Sequence, residues 1–115
     1  MGKVIARGVC VNPGIVSGRA KIINSPNEID RVEYGDIVIL PNSDPQYAVA
    51  VFKSAAVICE NGGRLSHICI VTMEMGIPCI TQVKDARKLI ADEENIFVDA
   101  VQGEIIANNK LSCKM

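Results

Sequence analysis

The fold of this chain is decided by residues 55–78, which read AAVICENGGRLSHICIVTMEMGIP. An apolar run of strand length, residues 55–59, ends abruptly at Gly62 and Gly63. Ser66 then stands at the N-cap of a predicted helix, because its hydroxyl can accept a hydrogen bond from an amide of the first turn. The segment therefore predicts a strand, a glycine turn and a helix in direct succession.

The predicted helix has a defined end and an apolar surface. Gly76 suits the left-handed position that follows a helix, and Pro78 prevents its continuation. Met73 and Met75 add to apolar residues that face most sides of the helix. We expect a helix packed deeply against a sheet. The alternative is that one flank of the helix binds a partner, since the flexible methionine side chain fits surfaces of different shape.

Elements on either side of this segment predict an α/β fold. A helix from Gln46 to about Lys53 is indicated because Asp44 can cap it and Pro45 suits the first helical position. A further helical turn or two is expected between Asp85 and Ile90. Short β-branched runs bounded by Gly, Pro and Asn predict the strands. These are Val4 to Val11, Gly18 to Ile23, Asp36 to Leu40 and Pro78 to Thr81, with a closing hairpin of Asn95 to Ala100 and Gly103 to Ala107. The sum is a β/β/α or α/β sandwich of mixed strands with two principal helices.

The composition is that of one soluble globular domain. The chain has 115 residues, of which 49% are apolar and 22% charged, and its net charge is -1. Nucleic acid is not an expected partner, because there is no basic stripe with interleaved aromatic residues. We expect a cytoplasmic protein without membrane contact, since no signal-peptide core and no apolar run of about 18 residues occurs.

The cysteines argue for reduced thiols. Their count is odd and no CxxC pair occurs, which is unlike the disulfide framework of a small secreted domain. Cys59, Cys69 and Cys79 surround His67 in the sequence and raise the hypothesis of a metal site. Zinc sites usually contain two ligands close together in sequence, and no such pair occurs here. Buried small apolar side chains are the favoured interpretation, and no metal site is predicted. The five are Cys10, Cys59, Cys69, Cys79 and Cys113.

His67 is the predicted catalytic residue and the single histidine of the chain. Gly62 and Gly63 allow backbone amides to point into one concavity, which favours a bound oxyanion. The first turn of the helix adds unpaired amides and a partial positive charge. Arg64 can add a planar donor, and Ser66 flanks the same place. A neutral imidazole there could attack the phosphorus of a phosphate donor. On these local features alone, an ordinary surface or core histidine remains the alternative.

The residues around His67 resemble a family signature. Residues 60–67, continued by 68–71 and 76–78, resemble the phosphohistidine signature of phosphoenolpyruvate (PEP)-utilising enzymes. That family includes pyruvate phosphate dikinase, PEP synthase and enzyme I of the sugar phosphotransferase system. The resemblance spans roughly residues 8 to 108, with several landmarks agreeing in order and spacing. The other similar stretches are the opening turn 11–18, the middle strand 35–39 with Asp44-Pro45, and the closing hairpin 98–106.

The resemblance implies a fold, a role and partners. The fold would be the swivelling β/β/α domain, with residues 1–115 forming a single mobile domain. His67 would be phosphorylated on its distal ring nitrogen, within the loop of Gly62 and Gly63, with Arg64 and Ser66 beside the phosphate. The domain would bind no cofactor by itself. Magnesium and ATP or PEP would be held by two partners, a nucleotide-binding domain and a PEP- or pyruvate-binding barrel. These partners would lie in the same parent chain or in separate subunits. The chain would therefore be a component of a phosphotransferase rather than a complete enzyme.

Two departures from the family pattern keep other functions open. Leu65 stands where the family usually has threonine, which removes a hydroxyl near the predicted site, and neither partner domain is encoded within the 115 residues. A non-catalytic binding or regulatory module that retains the swivelling fold is therefore the alternative. A third hypothesis is a related fold without histidine chemistry, like the swivelling domain of aconitase, against which the match around His67 argues.

Overall fold

A computed structural model describes residues 2–107 of the chain. Within these residues the backbone forms eight strands and three α-helices. The strands are β1 (Lys3–Arg7), β2 (Val9–Asn12), β3 (Ile15–Ile22), β4 (Ile37–Leu40), β5 (Ala56–Cys59), β6 (Cys79–Thr81), β7 (Asn95–Asp99) and β8 (Glu104–Ala107). The helices are α1 (Ala48–Val51), α2 (His67–Met75) and α3 (Ala86–Leu89), with 3-10 turns at Pro26–Arg31 and Pro45–Tyr47.

The strands follow the order β1-β8-β7-β3-β4-β5-β6-β2. Strands β3, β4, β5 and β6 are parallel, and β2 adds an antiparallel edge beside β6. The pairs β1–β8, β8–β7 and β7–β3 are antiparallel. Strand β3 joins the two halves because Ile15 to Arg19 pair with β7 whereas Ala20 to Ile22 pair with β4.

The predicted strand from Val4 to Val11 is wrong in one respect, because Gly8 divides it into β1 and β2. The Gly8 amide donates to the carbonyl of Gly103 at 2.9 Å. A Cβ at Gly8 would lie 2.5 Å from the carbonyl oxygen of Thr81, so a larger residue does not fit there. Strand β1, before Gly8, pairs with β8, and strand β2, after Gly8, pairs with β6.

The alternation of side chains along β4 shows two apolar cores. Ile37 and Ile39 face a core between the two halves of the sheet, and Val38 and Leu40 face a second core beneath the helices. All four side chains are fully buried. Two strand layers covered on one side by helices form the β/β/α arrangement that the sequence indicated, and the α/β fold class is confirmed.

The two predicted principal helices differ in outcome. Helix α2 is confirmed, and it ends at Gly76, whose φ is +71°. The helix expected from Gln46 to Lys53 is wrong in extent, because a 3-10 turn precedes an α1 of 4 residues. The amides of Lys53 and Ser54 bond carbonyls only three residues earlier, those of Ala50 and Val51, so the α-helical pairing does not continue. No helix within residues 2–107 is long and apolar enough to cross a membrane.

Candidate functional site

The predicted nucleophile lies at the start of α2, which follows the carboxyl end of β5. In open α/β sheets this edge is where ligands bind. His67 is exposed, whereas Ile68 and Cys69, the next two residues, are fully buried. The helix is thus anchored in the second core while the imidazole of its first residue is in contact with solvent.

The turn before the helix depends on one of its two glycines. Gly62 has a φ of +126°, a conformation that residues with a side chain rarely adopt. A Cβ there would also lie 3.0 Å from the Ser66 hydroxyl and 3.1 Å from the Cβ of Ser43. A Cβ on Gly63 would have no neighbour within 4 Å. The turn therefore requires glycine at position 62, whereas position 63 could accommodate a small side chain.

Ser66 occupies the predicted N-cap position of α2, but the expected capping by its side chain is wrong, because the hydroxyl makes no capping hydrogen bond. Its hydroxyl donates instead to the carbonyl of Gly63 at 2.7 Å. The hydroxyl of Ser43 accepts the amide of Ile68 at 2.9 Å and supplies the missing cap. Sequence reasoning missed Ser43; the available signal was its place just after β4, at the same edge of the parallel sheet as the turn after β5.

The first turn of α2 leaves backbone donors open. Among residues 2–107, the amides of His67 and Cys69 make no hydrogen bond, and of these two residues His67 is exposed whereas Cys69 is buried. Such free amides, together with the helix dipole, favour a bound anion. Arg64 is exposed beside them and lines a shallow cavity of about 510 Å³ with Gly63, Leu65 and Met73. Of the predicted phosphate-binding residues, Gly63 and Arg64 line this cavity together, whereas Gly62 lines a different cleft and the Ser66 hydroxyl bonds Gly63 and Ser43.

A second cleft of about 530 Å³ opens on the other side of the glycine turn. Residues 60–63 form one wall, and Gln82, Lys84 and Asp85 form the other. Gln82 and Asp85 have φ values of 57° and 60°, so the loop after β6 holds two side-chain-bearing residues in the left-handed region. Both walls follow neighbouring parallel strands, so the cleft belongs to the same sheet edge as His67.

Glu60 anchors the beginning of the turn. Its carboxylate accepts the Arg87 amide at 2.7 Å and lies 3.0 Å from the Arg87 Nε. Burial by itself raises the pKa of the Glu60 carboxyl, but the hydrogen bonds and charge of Arg87 outweigh it, and the pKa is lowered. Glu60 is therefore a structural anion at the root of the turn rather than an acid that gives up a proton near neutral pH.

Three thiols meet in the second core beneath the start of α2. Cys59, Cys69 and Cys79 are fully buried and free. The hydrogen bond from the Cys59 thiol lowers the pKa of Cys69 and raises that of Cys59. No group of three or more histidine, cysteine, aspartate or glutamate side chains in the described part of the chain could hold a metal ion. Cys113 lies outside the described residues.

Comparison with known sequences decides the family. The sequence model described as "PEP-utilising enzyme, mobile domain" matches residues 32–103, which include the whole turn and α2. The chain belongs to the PEP-utilising mobile-domain family. The resemblance drawn from the residues around His67 is thereby confirmed.

This mobile domain is similar to segments of much longer proteins. It is 38% identical over 101 residues to the phosphoenolpyruvate synthase of Pyrococcus furiosus, covering 88% of this chain and 12% of that protein. It is 33% identical over 103 residues to the phosphoenolpyruvate synthase of Escherichia coli, covering 90% of this chain and 13% of that one. The mobile domain therefore spans about an eighth of these relatives.

Solved structures share the fold of the mobile domain at low identity. A solution structure of Enzyme I superimposes with a TM-score of 0.59 at 21% identity, covering 70% of this chain and 33% of that one. The holo-form of aconitase X from Thermococcus kodakaraensis superimposes with a TM-score of 0.70 at 15% identity, covering 90% of this chain and 97% of that one. At these identities the likeness concerns the fold alone, and it agrees with the swivelling-domain architecture.

Proposed function

We propose that this mobile domain carries a phosphoryl group on His67 between partner active sites of a PEP synthase- or pyruvate dikinase-like phosphotransferase. A neutral ring nitrogen attacks the phosphorus of the donor, the bond from phosphorus to the leaving oxygen breaks, and a phosphohistidine remains. A second acceptor then takes the phosphoryl group and restores the ring. The distal nitrogen is the proposed acceptor, by resemblance to the family.

One observation carries the proposal: the single histidine of the chain is exposed as the first residue of α2, where its own amide makes no hydrogen bond to any described residue. Helix-terminal amides stabilise an anionic group by about 0.3–1 kcal/mol, and by up to about 2 kcal/mol where it is partly buried. Gly62, Gly63, Arg64 and Ser66 form the proposed phosphate surroundings. The buried side of α2 keeps this surface in place while the imidazole remains free to meet a partner.

The chemistry of the donor belongs to partners in this proposal. A nucleotide-binding domain and a PEP- or pyruvate-binding barrel, in the same parent chain or in separate subunits, hold ATP or PEP with magnesium. The mobile domain contributes the acceptor and the donors that surround the phosphoryl oxygens. The small share of the curated relatives that this chain matches, 12% and 13%, is consistent with such a division of labour.

The test is phosphorylation in trans. The chain is incubated with a phosphoenolpyruvate synthase from Pyrococcus furiosus whose own acceptor histidine has been replaced, with magnesium and either ATP or PEP. Intact mass should show one added, acid-labile phosphoryl group on the wild-type chain and none on His67→Ala. Tyr34→Ala, at an 83% exposed position outside the family signature, serves as the matched control and should be phosphorylated like the wild type.

Two outcomes contradict the carrier proposal. Phosphate retained by His67→Ala would place the acceptor elsewhere. No phosphoryl gain with either donor would favour the alternative, a binding or regulatory module, which Leu65 at the usual threonine position motivates.

A further inference from the structure

Ser43 connects the turn and the helix of the candidate site. It lies in the loop after β4, and its hydroxyl accepts the amide of Ile68 at 2.9 Å. The same hydroxyl is hydrogen-bonded to that of Ser66 at 2.8 Å, and the Ser66 hydroxyl bonds the carbonyl of Gly63 at 2.7 Å. One side chain from a neighbouring strand loop therefore holds both the first turn of α2 and the turn that precedes it.

The proton arrangement of this chain of hydroxyls is constrained. Each serine hydroxyl has one proton to donate and can accept from another group. The Gly63 carbonyl can only accept, so the Ser66 proton satisfies it and the Ser43 proton satisfies Ser66. The oxygen of Ser43 remains the acceptor for Ile68. Such linked hydrogen bonds strengthen one another and hold the Ser66 side chain in one orientation.

The unusual cap has a consequence for the amides next to the imidazole. A serine at an N-cap normally bonds the amide of the second or third helical residue, which in α2 are Ile68 and Cys69. Because Ser43 takes the first of these and turns Ser66 toward Gly63, the Cys69 amide is left open. Cys69 is fully buried, so the open amide that an anion at the helix terminus can reach is that of His67, whose residue is exposed.

We infer that Ser43 is a positioning residue for phosphoryl transfer at His67, an inference that rests on the proposed function. Ser43 does not touch the phosphorus. Its hydroxyl holds Ser66 away from the helix terminus and fixes the first turn of α2, so that the imidazole and the open amide of His67 face the phosphoryl group. Its loss releases Ser66 and removes the acceptor of the Ile68 amide, so the first turn of α2, which carries His67, is held less firmly.

The experiment compares three variants of the full chain in the phosphorylation assay. Ser43→Ala removes the acceptor, Ser43→Thr retains the hydroxyl, and Asp44→Ala disturbs the same loop by removing the acceptor for the Gln46 amide at 2.9 Å. Losing one capping hydrogen bond corresponds to about a tenfold slower transfer. We expect that slowing in Ser43→Ala at unchanged folded fraction, most of the rate restored in Ser43→Thr, and none of the slowing in Asp44→Ala.

A wild-type rate in Ser43→Ala, or equal slowing in Asp44→Ala, would overturn the inference. Ser43→Cys, which keeps the volume but accepts hydrogen bonds weakly, replaces the alanine variant if that one does not fold. If the wild type gains no phosphoryl group, the proposed function fails, and inorganic phosphate then decides the role of Ser43. Phosphate should shift the amide resonance of His67 in the wild type and in Ser43→Thr, and an equal shift in Ser43→Ala would reject the positioning role of Ser43.

Discussion

The carboxylate of Glu60 accepts the backbone amide of Arg87 at 2.7 Å, across 27 residues of sequence. The same oxygen lies 3.0 Å from the Arg87 Nε, and the Glu60 side chain is only 11% exposed. Arg87 also donates to Asn24 at 2.8 Å, so one arginine connects the loops that follow β3 and β5. The glycine turn that leads to His67 therefore starts from a fixed point.

Replacing Glu60 with Gln should lower the free energy of unfolding by about 1–3 kcal/mol at pH 7, the cost of a hydrogen bond to a charged group. The folded-state pKa of Glu60 is lowered, so its stabilisation is fully present above the unfolded pKa of about 4.3 and is lost as pH falls through the folded value. Urea unfolding at pH 7 and at successively lower pH should show the difference between wild type and variant shrinking.

A matched control for this prediction is the exposed pair of Glu104 and Arg7, whose atoms lie 3.4 Å apart. Glu104→Gln should change the free energy of unfolding by no more than about 0.5 kcal/mol, because exposed ion pairs contribute little. A Glu60→Gln deficit of constant size across the whole pH range would reject the pairing with Arg87 as its cause.

Gly62→Ala and Gly63→Ala form a second matched pair. The first places a Cβ at a φ of +126° and within 3.0 Å of Ser66, whereas the second meets nothing within 4 Å. Gly62→Ala should lower the free energy of unfolding by about 1–3 kcal/mol, the cost of a strained backbone position, and Gly63→Ala should leave it within about 0.5 kcal/mol. Thermal unfolding of both variants tests this, and equal losses would show that position 62 has no special conformational demand.

Local patterns predicted much of this fold. The run of β4, the hairpin of β7 and β8, and α2 with its glycine end each depend on neighbours in sequence, so their patterns could be interpreted without coordinates. The break at Gly8 and the cap from Ser43 depend on residues distant in the chain, Thr81 and Ile68, and no local pattern records them. The same limit explains why Ser66 was expected to cap the helix that follows it.

The third prediction concerns the alkylation of the cysteines, because a low thiol pKa favours the reaction whereas burial of the sulfur prevents it. The lowered pKa of Cys69 would favour alkylation, but its side chain is fully buried, whereas Cys10 is partly exposed. Since a reagent must first reach the sulfur, native-state treatment with iodoacetamide followed by peptide mapping should label Cys10 and spare Cys69. Labelling of Cys69 ahead of Cys10 in the folded protein would mean that the first turn of α2 opens readily.

Phosphate binding to the folded state makes the fourth prediction. A ligand at ten times its dissociation constant stabilises a protein by about 1.4 kcal/mol, and a domain of this size gains roughly 4–8 °C in Tm per kcal/mol. Inorganic phosphate at millimolar concentration should therefore raise the Tm modestly, because the open amide of His67 can donate to a phosphate oxygen beside Arg64. Differential scanning calorimetry at constant ionic strength, with chloride as the reference salt, measures the shift.

Arginine variants locate the source of that shift. Arg64→Ala removes the exposed cation beside the turn, whereas Arg7→Ala removes an exposed arginine on β1. Since only Arg64 belongs to the proposed phosphate surroundings, the phosphate-dependent rise in Tm should shrink in Arg64→Ala and persist in Arg7→Ala. If millimolar phosphate does not change the Tm of the wild type, the turn has no preformed anion site. If phosphate raises the Tm of both variants equally, the anion binds elsewhere on the protein.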